Sequence, residues 1–338
     1  MDILSQLEEA PSGRIGPAGW GRTDAGARTA DGSITIVLPF TEQGSDTLAG
    51  VYEKATRNQW HIDDVDWSQE LDPANPLGMH DVTIPLAATP IWDRMDEKEK
   101  STVRQHLQAW HLSQILHGER ASLLCAGKIV MTSEDPAEKL CAAMQAADEA
   151  RHVKVYSRLL SKVGPEVDIS PSVDRLLYNV LQDNEPGIVS LGVQILIEGL
   201  ALAFFKSLSA YSSNSLVRNV IELVVRDEAR HFAAGQLGLA AIHKQLSSAE
   251  LAMREEYVAE ACVLLDTYLF ADELWEPLGL KKQECMELTR SSKVNRSMHR
   301  ALFRSIVPAV RGIGLLGPRT TKAFEQLGVL DYAAFPST

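Results

Sequence analysis

The pentapeptide Asp-Glu-Ala-Arg-His occurs twice, at residues 148–152 and 227–231. Thirty residues ahead of each motif glutamate stands another glutamate in an apolar stretch: Glu119 ahead of Glu149, and Glu198 ahead of Glu228. The chain thus carries a Glu-x29-Glu-x2-His unit in two copies, and an internal repeat constrains a fold more than any single motif.

Helix signals flank every member of the repeat. Asp96 with Glu99 makes a capping-box start, and the helix that follows, carrying Glu119, is expected to run to Val130 or Met131. Asp135 and Pro136 open the next one, since proline is favoured at the first helical position; it carries Glu149 and stops at Gly164-Pro165. A helix over Pro171 to Gln182 follows. A third long helix, from near Pro186 to Tyr211, holds Glu198. Ser212-Ser213-Asn214 breaks it, and a fourth, from Ser215 to Gln245, carries Glu228. Ser247 or Ser248 opens a further helix through Tyr268. Upstream, Thr47 to Trp60 reads as a helix and Ser33 to Leu38 as a short strand-like run in an irregular arm. The fold class expected is all-α: residues 1–95 as an arm with an accessory helix packed on the core, and residues 96–338 as one helical unit with accessory C-terminal helices.

Spacing then brings the repeat together. At 1.5 Å rise per residue, Glu119 and Glu149 lie roughly 18 and 21 Å from the turn that joins their helices, so an antiparallel hairpin sets them level. The same count holds for Glu198 and Glu228. Residues three apart share a helix face, so Glu149 with His152, and Glu228 with His231, each address one point. Two hairpins packed as a four-helix bundle place four carboxylates and two imidazoles at one height. Four buried negative charges require countercharge, and two divalent or trivalent cations supply it. Carboxylate with imidazole suits iron or manganese. A charged surface face would also use such pairs, but Leu196, Ile197, Leu200 and Leu202 leave Glu198 no polar face.

Composition narrows the classes. Apolar residues make up 45% of the 338 and charged ones 23%, which excludes a disordered chain. A net charge of −12 disfavours a nucleic-acid partner. The four cysteines, Cys125, Cys141, Cys262 and Cys285, form no Cys-x-x-Cys pair, so neither a zinc ribbon nor a dithiol is expected. With no secretory signal visible, cytoplasmic localisation is the expectation. Gly187 to Phe205 is long and apolar enough to span a bilayer, but a mid-membrane Glu198 is costly; a buried core helix is expected, with no membrane partner.

The repeat resembles the ligand pattern of the ferritin-like diiron-carboxylate proteins, in which one Glu from each of two helices and Glu-x-x-His from the other two hold two metals. Ribonucleotide reductase small subunits, bacterial multicomponent monooxygenases, acyl-carrier-protein desaturases and arylamine N-oxygenases belong to that superfamily, and the resemblance spans roughly residues 96–270. It implies that Glu119, Glu149 and His152 hold one iron and Glu198, Glu228 and His231 the other, with Glu149 and Glu228 as candidate bridges. It pairs Asp148 with His231 and Asp227 with His152, the common orientation device for a metal-bound histidine, and sets Arg151 and Arg230 against those aspartates; plain surface ion pairs are the alternative.

Particular residues bear on which member it is. Arylamine N-oxygenases carry an additional histidine one turn before the last bridging Glu, where this chain has Val224. Glu119 stands where many reductase small subunits use Asp, which is closer to the monooxygenases and ligand-binding oxidases. Tyr156, four residues after His152, matches the offset of a radical tyrosine, or simply packs in the core. Leu200, Phe204 and Phe205 around Glu198 form a substrate wall or ordinary core packing. The Trp60–Trp67 segment could lend the site a Trp or an Asp.

What the resemblance implies is an O2-activating non-haem diiron oxygenase acting through a peroxo-diiron intermediate, with Glu149, Glu228 and Tyr156 as catalytic residues. Its metals would be Fe/Fe or Mn/Fe, O2 its co-substrate, and a small apolar or aromatic molecule, free or carrier-bound, its substrate. A ferredoxin or flavin reductase would supply electrons, and a homodimer is expected. The alternative is a radical-generating or ligand-binding oxidase like the reductase small subunits.

Overall fold

The computed structural model describes residues 44–183, 185 and 187–336; the strand-like run at 33–38 lies outside them. Among the described residues the secondary structure is helical apart from one isolated bridge, Met79 to Ser212.

The two hairpins form as the repeat requires. In α3 (Glu97–Thr132) the Asp96 carboxylate accepts from the Glu99 N–H at 2.8 Å and the Glu99 carboxylate accepts from the Asp96 N–H at 2.9 Å. This reciprocal cap satisfies two N–H groups that the helix itself cannot. Asp135 caps α4 (Pro136–Val163), so only residues 133–135 separate the two helices and they lie antiparallel against each other. In the second hairpin, α6 (Ile188–Ser190) and α7 (Glu198–Tyr211) run on either side of a wider turn and lead to α8 (Ser215–His243), which Asn214 caps. Contacts between α4 and α8 close the bundle.

Around it, α1 (Asp46–Arg57) lies on α4 and α8, burying Leu48 and Ala55 against Ala137, Cys141 and Ala234. The helix α9 (Ser248–Tyr268) contacts α5 (Pro171–Gln182) and the C-terminal helix Pro318–Leu327. The apolar run Ile188–Tyr211 is a core helix: 78% of its most apolar window is buried inside the fold.

Two elements differ from the sequence reading. The α1 helix ends at Arg57 rather than Trp60, because Gln59 and Trp60 turn inward toward the bundle. The third bundle helix is not uniformly α: Leu191–Ile197 is π-helical, ending immediately before Glu198. A π turn holds one residue more than an α turn and is found mostly at functional sites. It is packed tightly here. A Cβ on Gly192 would lie 2.4 Å from both the Tyr257 hydroxyl and a Val180 methyl, and one on Gly235 of α8 only 2.6 Å from the Gln194 Cβ.

Gly192→Val should therefore lower the unfolding free energy by about 1–3 kcal/mol through overpacking. Gly50→Ala, with open space around it in α1, should raise it by about 0.5–1 kcal/mol. Urea denaturation of both variants measures the difference, and equal midpoints would refute the packing argument.

Candidate metal centre

At mid-height of the bundle α3 contributes Glu119, α4 Glu149 and His152, α7 Glu198, and α8 Glu228 and His231. All six are buried, with Glu149 and His152 at 0% exposure. Their ligand atoms form two groups, Glu119, Glu149, His152 and Glu228, and Glu149, Glu198, Glu228 and His231. Within each group the atoms lie within 4.8 Å of one another, and Glu149 and Glu228 belong to both.

The imidazoles are turned the same way. His152 presents Nδ1 to Glu119 at 3.2 Å, Glu149 at 3.3 Å and Glu228 at 3.1 Å, and its Nε2 meets Asp227 at 3.0 Å. His231 presents Nδ1 to Glu149 at 3.3 Å, and its Nε2 meets Asp148 at 3.2 Å. Each motif aspartate thus holds the histidine of the other motif.

Arg151 and Arg230 join these aspartates in a network that is buried rather than superficial. Arg151 bonds both Asp148 and Asp227, the latter at 2.9 Å. Arg230 bonds both as well, reaching Asp148 at 3.3 Å. The arginine side chains are 12% and 13% exposed, which removes the surface-pair alternative. Two positive charges balance two negative ones, so this outer layer is neutral.

The inner layer is not. Burial pushes the Glu119 and Glu198 carboxyls well above the usual range, for Glu198 with the neighbouring Glu228 adding to it. Burial opposes charge on His152 and His231 too. The carboxylates around them, Glu119 and Asp227 for His152, Asp148 and Glu149 for His231, outweigh it and hold both rings well above the ordinary histidine value. The two imidazoles in turn keep Glu149 ionised against its own burial. Protons therefore fill the place of countercharge when no metal is bound.

Glu198 Oε2 has no hydrogen-bond partner, and Glu228 Oε1 and His231 Nδ1 meet His152 at 3.1 Å and Glu149 at 3.3 Å without hydrogen-bond geometry. Buried polar atoms without partners are rare and costly. Carboxylate oxygen and imidazole nitrogen converge here on one space, and once the ring protons leave, that ligand set fits a pair of metal cations.

Three supporting residues lay outside the sequence assignment. Gln145 donates to Glu198 at 2.6 Å and to Glu149 at 3.2 Å, and itself accepts from Gln194 at 2.8 Å. Both glutamines sit one turn before a buried glutamate, Gln145 before Glu149 and Gln194 before Glu198, a spacing legible in hindsight. Trp60, flagged only as part of a segment, donates its indole N–H to Asp227 at 2.7 Å, stacks on His152 and lies under the Arg151 guanidinium at 4.7 Å. Tyr156 is fully buried and stacked on Phe205, and its hydroxyl has no partner.

A cavity of about 390 Å³ opens beside the centre, with Glu119, Glu198 and Glu228 in its wall. Leu200, Phe204 and Phe205 line it, so these side chains face open space rather than only core. The volume lies in the range of small-molecule sites.

A helical bundle carrying paired Glu and Glu-x-x-His on four helices defines the ferritin-like dimetal-carboxylate class. Within it, the chain belongs to the family described as p-aminobenzoate N-oxygenase AurF, whose model matches residues 41–314. The protein is accordingly an oxidoreductase, a non-haem dimetal oxygenase using O2 on a small molecule. No curated protein sequence matches the chain. Among solved structures, it is similar to the dimanganese(II) NrdF of Streptococcus sanguinis at 14% identity and a TM-score of 0.52, over 87% of this chain and 99% of that one. A point mutant of an R2-like ligand-binding oxidase with a Mn/Fe cofactor matches at 17% identity and a TM-score of 0.48, over 79% and 94%. Family membership stands alongside Val224, a buried apolar residue, one turn before Glu228.

Two outcomes follow. The raised groups make the metal-free fold least stable at high pH. Unfolded, Glu119 and Glu198 lose protons near 4.5 and the histidines near 6.5; folded, they hold them to higher pH. Stability from these groups is complete below the unfolded values and is lost as pH rises through the folded ones. The melting temperature of metal-free protein should fall between about pH 5 and 8, and Mn(II) should remove most of the fall by replacing the protons; a rise over that range would contradict this. Gln145→Leu, which strips Glu198 of its donor, should weaken metal binding about 10–100-fold without unfolding the bundle, as measured by competition with a chelating dye.

Proposed function

We propose that the protein is an arylamine N-oxygenase whose two metal ions, Fe/Fe or Mn/Fe, are held by the repeat. In this reading Glu119, Glu149 and His152 would hold one ion and Glu198, Glu228 and His231 the other, with Glu149 and Glu228, which belong to both ligand groups, available to each. The observation that carries it is the pair of overlapping ligand groups sharing those two glutamates, set in the wall of a largely apolar cavity. The family description names an aromatic amine, p-aminobenzoate, as the family's substrate.

When bound, the metals supply the redox equivalents and Lewis acidity that activate O2. The chain's own residues do the rest. Asp148 and Asp227 fix the ring orientation of the histidines, Gln145 fixes the Glu198 carboxylate, and Trp60 stacks on His152 beneath the Arg151 guanidinium. Phe204 and Phe205 give the substrate a dry aromatic wall. The balance is one arylamine, one O2, two electrons and two protons giving one hydroxylamine and one water.

The two electrons come from outside. All four cysteines are buried and unpaired, and burial raises their thiol pKa values, so no dithiol reductant is present among the described residues. A ferredoxin or flavin reductase is the donor class; a homodimer in the cytoplasm completes the proposal. Tyr156 belongs to it as the oxidisable group behind His152. Its hydroxyl makes no hydrogen bond to a described residue.

Iron-loaded wild type should carry two metals per chain, and Glu149→Ala and His231→Ala fewer than one, by elemental analysis. Reduced wild type given O2 and an arylamine should consume O2 and yield a product with one added oxygen atom. Stoichiometric metal without any O2 uptake in the presence of reductant and amine would overturn the oxygenase reading.

A further inference from the structure

Among the described residues that line the cavity there is no lysine and no arginine, so the side chains there that can gain positive charge are His111 and His299. The amide side chains in the wall are already committed: Gln108, Gln114 and Asn295 each bond a backbone group elsewhere in the fold. His299 bonds the Leu269 carbonyl and packs edge-on against Phe270. His111 differs from all of these. Its ring lies against Trp110 and Phe204, each centroid 5.1 Å away, and makes no hydrogen bond to another described residue.

Its position suits the far end of an aromatic molecule. His111 stands on α3 eight residues before Glu119, about 12 Å along the helix. Ile115 and Gly118 lie between them on the cavity face, and the space over Gly118 is open. A polar contact of about 3 Å at each end leaves about 6 Å between an amine at the glutamates and an acid group at His111, the span of one para-substituted ring. A carboxylate in this space loses its water and needs countercharge. The titratable groups around the same space are Glu119, Glu198 and Glu228 at the metal end, Tyr211 on α7, Tyr268 on α9 and His299 on the helix Lys293–Leu302; the 77–85 loop and α5 contribute none. None of them acts on His111, which burial alone holds down to about 4 in the ligand-free protein. An adjacent carboxylate acts in the opposite direction and favours the protonated ring.

We infer that His111 holds the acid group of an aminobenzoate-type substrate, taking one proton from solvent onto its free ring nitrogen as the carboxylate arrives, so that substrate binding and proton uptake are one event. The carboxylate stays ionised and the imidazolium is its partner. The inference rests on the N-oxygenase reading for the amine at the glutamates; the proton count at His111 does not depend on it. His111 is a specificity residue in this account, remote from the reacting atoms.

The test is calorimetric titration of full-length, Mn(II)-loaded protein with 4-aminobenzoate and with 4-aminobenzamide. Repeating each titration near neutral pH in two buffers of different ionisation enthalpy counts the protons taken up on binding. Wild type should take up close to one proton with the acid and none with the amide. Because the ring is protonated only in the complex, affinity for the acid should rise as pH falls from about 8 to 6, while that for the amide stays level. His111→Gln keeps a donor and an acceptor but cannot carry the charge. It should bind the acid at least about tenfold more weakly, an unpaired buried carboxylate setting the lower bound, with fewer protons taken up, and should keep most of its affinity for the amide. His299→Gln should behave as wild type. Metal content and melting temperature of each variant show that it is folded and loaded. Acid binding without proton uptake in wild type overturns the inference, since the carboxylate then finds its charge at the metal end. So does unchanged affinity and proton count in folded His111→Gln, which means that the substrate enters as the neutral acid or meets His299. Turnover separates the two readings. Proton-coupled binding of the acid through His111 without oxidation of any arylamine sinks the N-oxygenase assignment alone. Oxidation of 4-aminobenzoate with equal efficiency by wild type and His111→Gln sinks the role of His111 alone.

Discussion

A carboxylate removed from water costs several kcal/mol unless something neutralises it, and this bundle buries six of them at one level. Its structure is organised around that cost. Asp148 and Asp227 are answered by Arg151 and Arg230, whose guanidinium groups each reach both aspartates. Glu119, Glu149, Glu198 and Glu228 have only two imidazoles among them, and those imidazoles are already committed through Nε2 to the aspartates. What remains unanswered is a set of oxygen and nitrogen lone pairs aimed at the centre. Protons fill part of it, with four pKa values raised as a result; two cations fill it with the charge that the ligands need.

Much of this was legible in the sequence because the repeat is rigid in register. Helices rise by a fixed increment, so equal spacing from a short turn dictates equal height, and Glu119, Glu149, Glu198 and Glu228 meet as the count requires. The capping residues Asp96, Asp135, Asn214 and Ser247 mark helix starts in sequence and in structure alike. The π segment at Leu191–Ile197 was not legible, since it leaves the apolar pattern intact and depends on close approach to Val180, Tyr257 and α8. Trp60 was not placed because its partner, Asp227, is 167 residues away and no local pattern links them. Gln145 had a local signal, one turn before Glu149, but its main partner, Glu198, lies on another helix.

The cavity adjoins the centre directly, with Glu119, Glu198 and Glu228 in its wall. The fold and the repeat are properties of the class, set by the need to hold ligands level in a dry core. The cavity walls bring together Leu200, Phe204, Phe205 and His111, with no lysine or arginine among the described lining residues.

The central claim is that the six repeat residues bind two metal ions sharing Glu149 and Glu228. Crystals of Mn(II)-loaded protein, with anomalous scattering collected at the manganese edge, address it directly. The account predicts two peaks about 3.5–4 Å apart, one beside His152 Nδ1 and one beside His231 Nδ1, with both shared glutamates between them. A single peak, or peaks away from these residues, would contradict it.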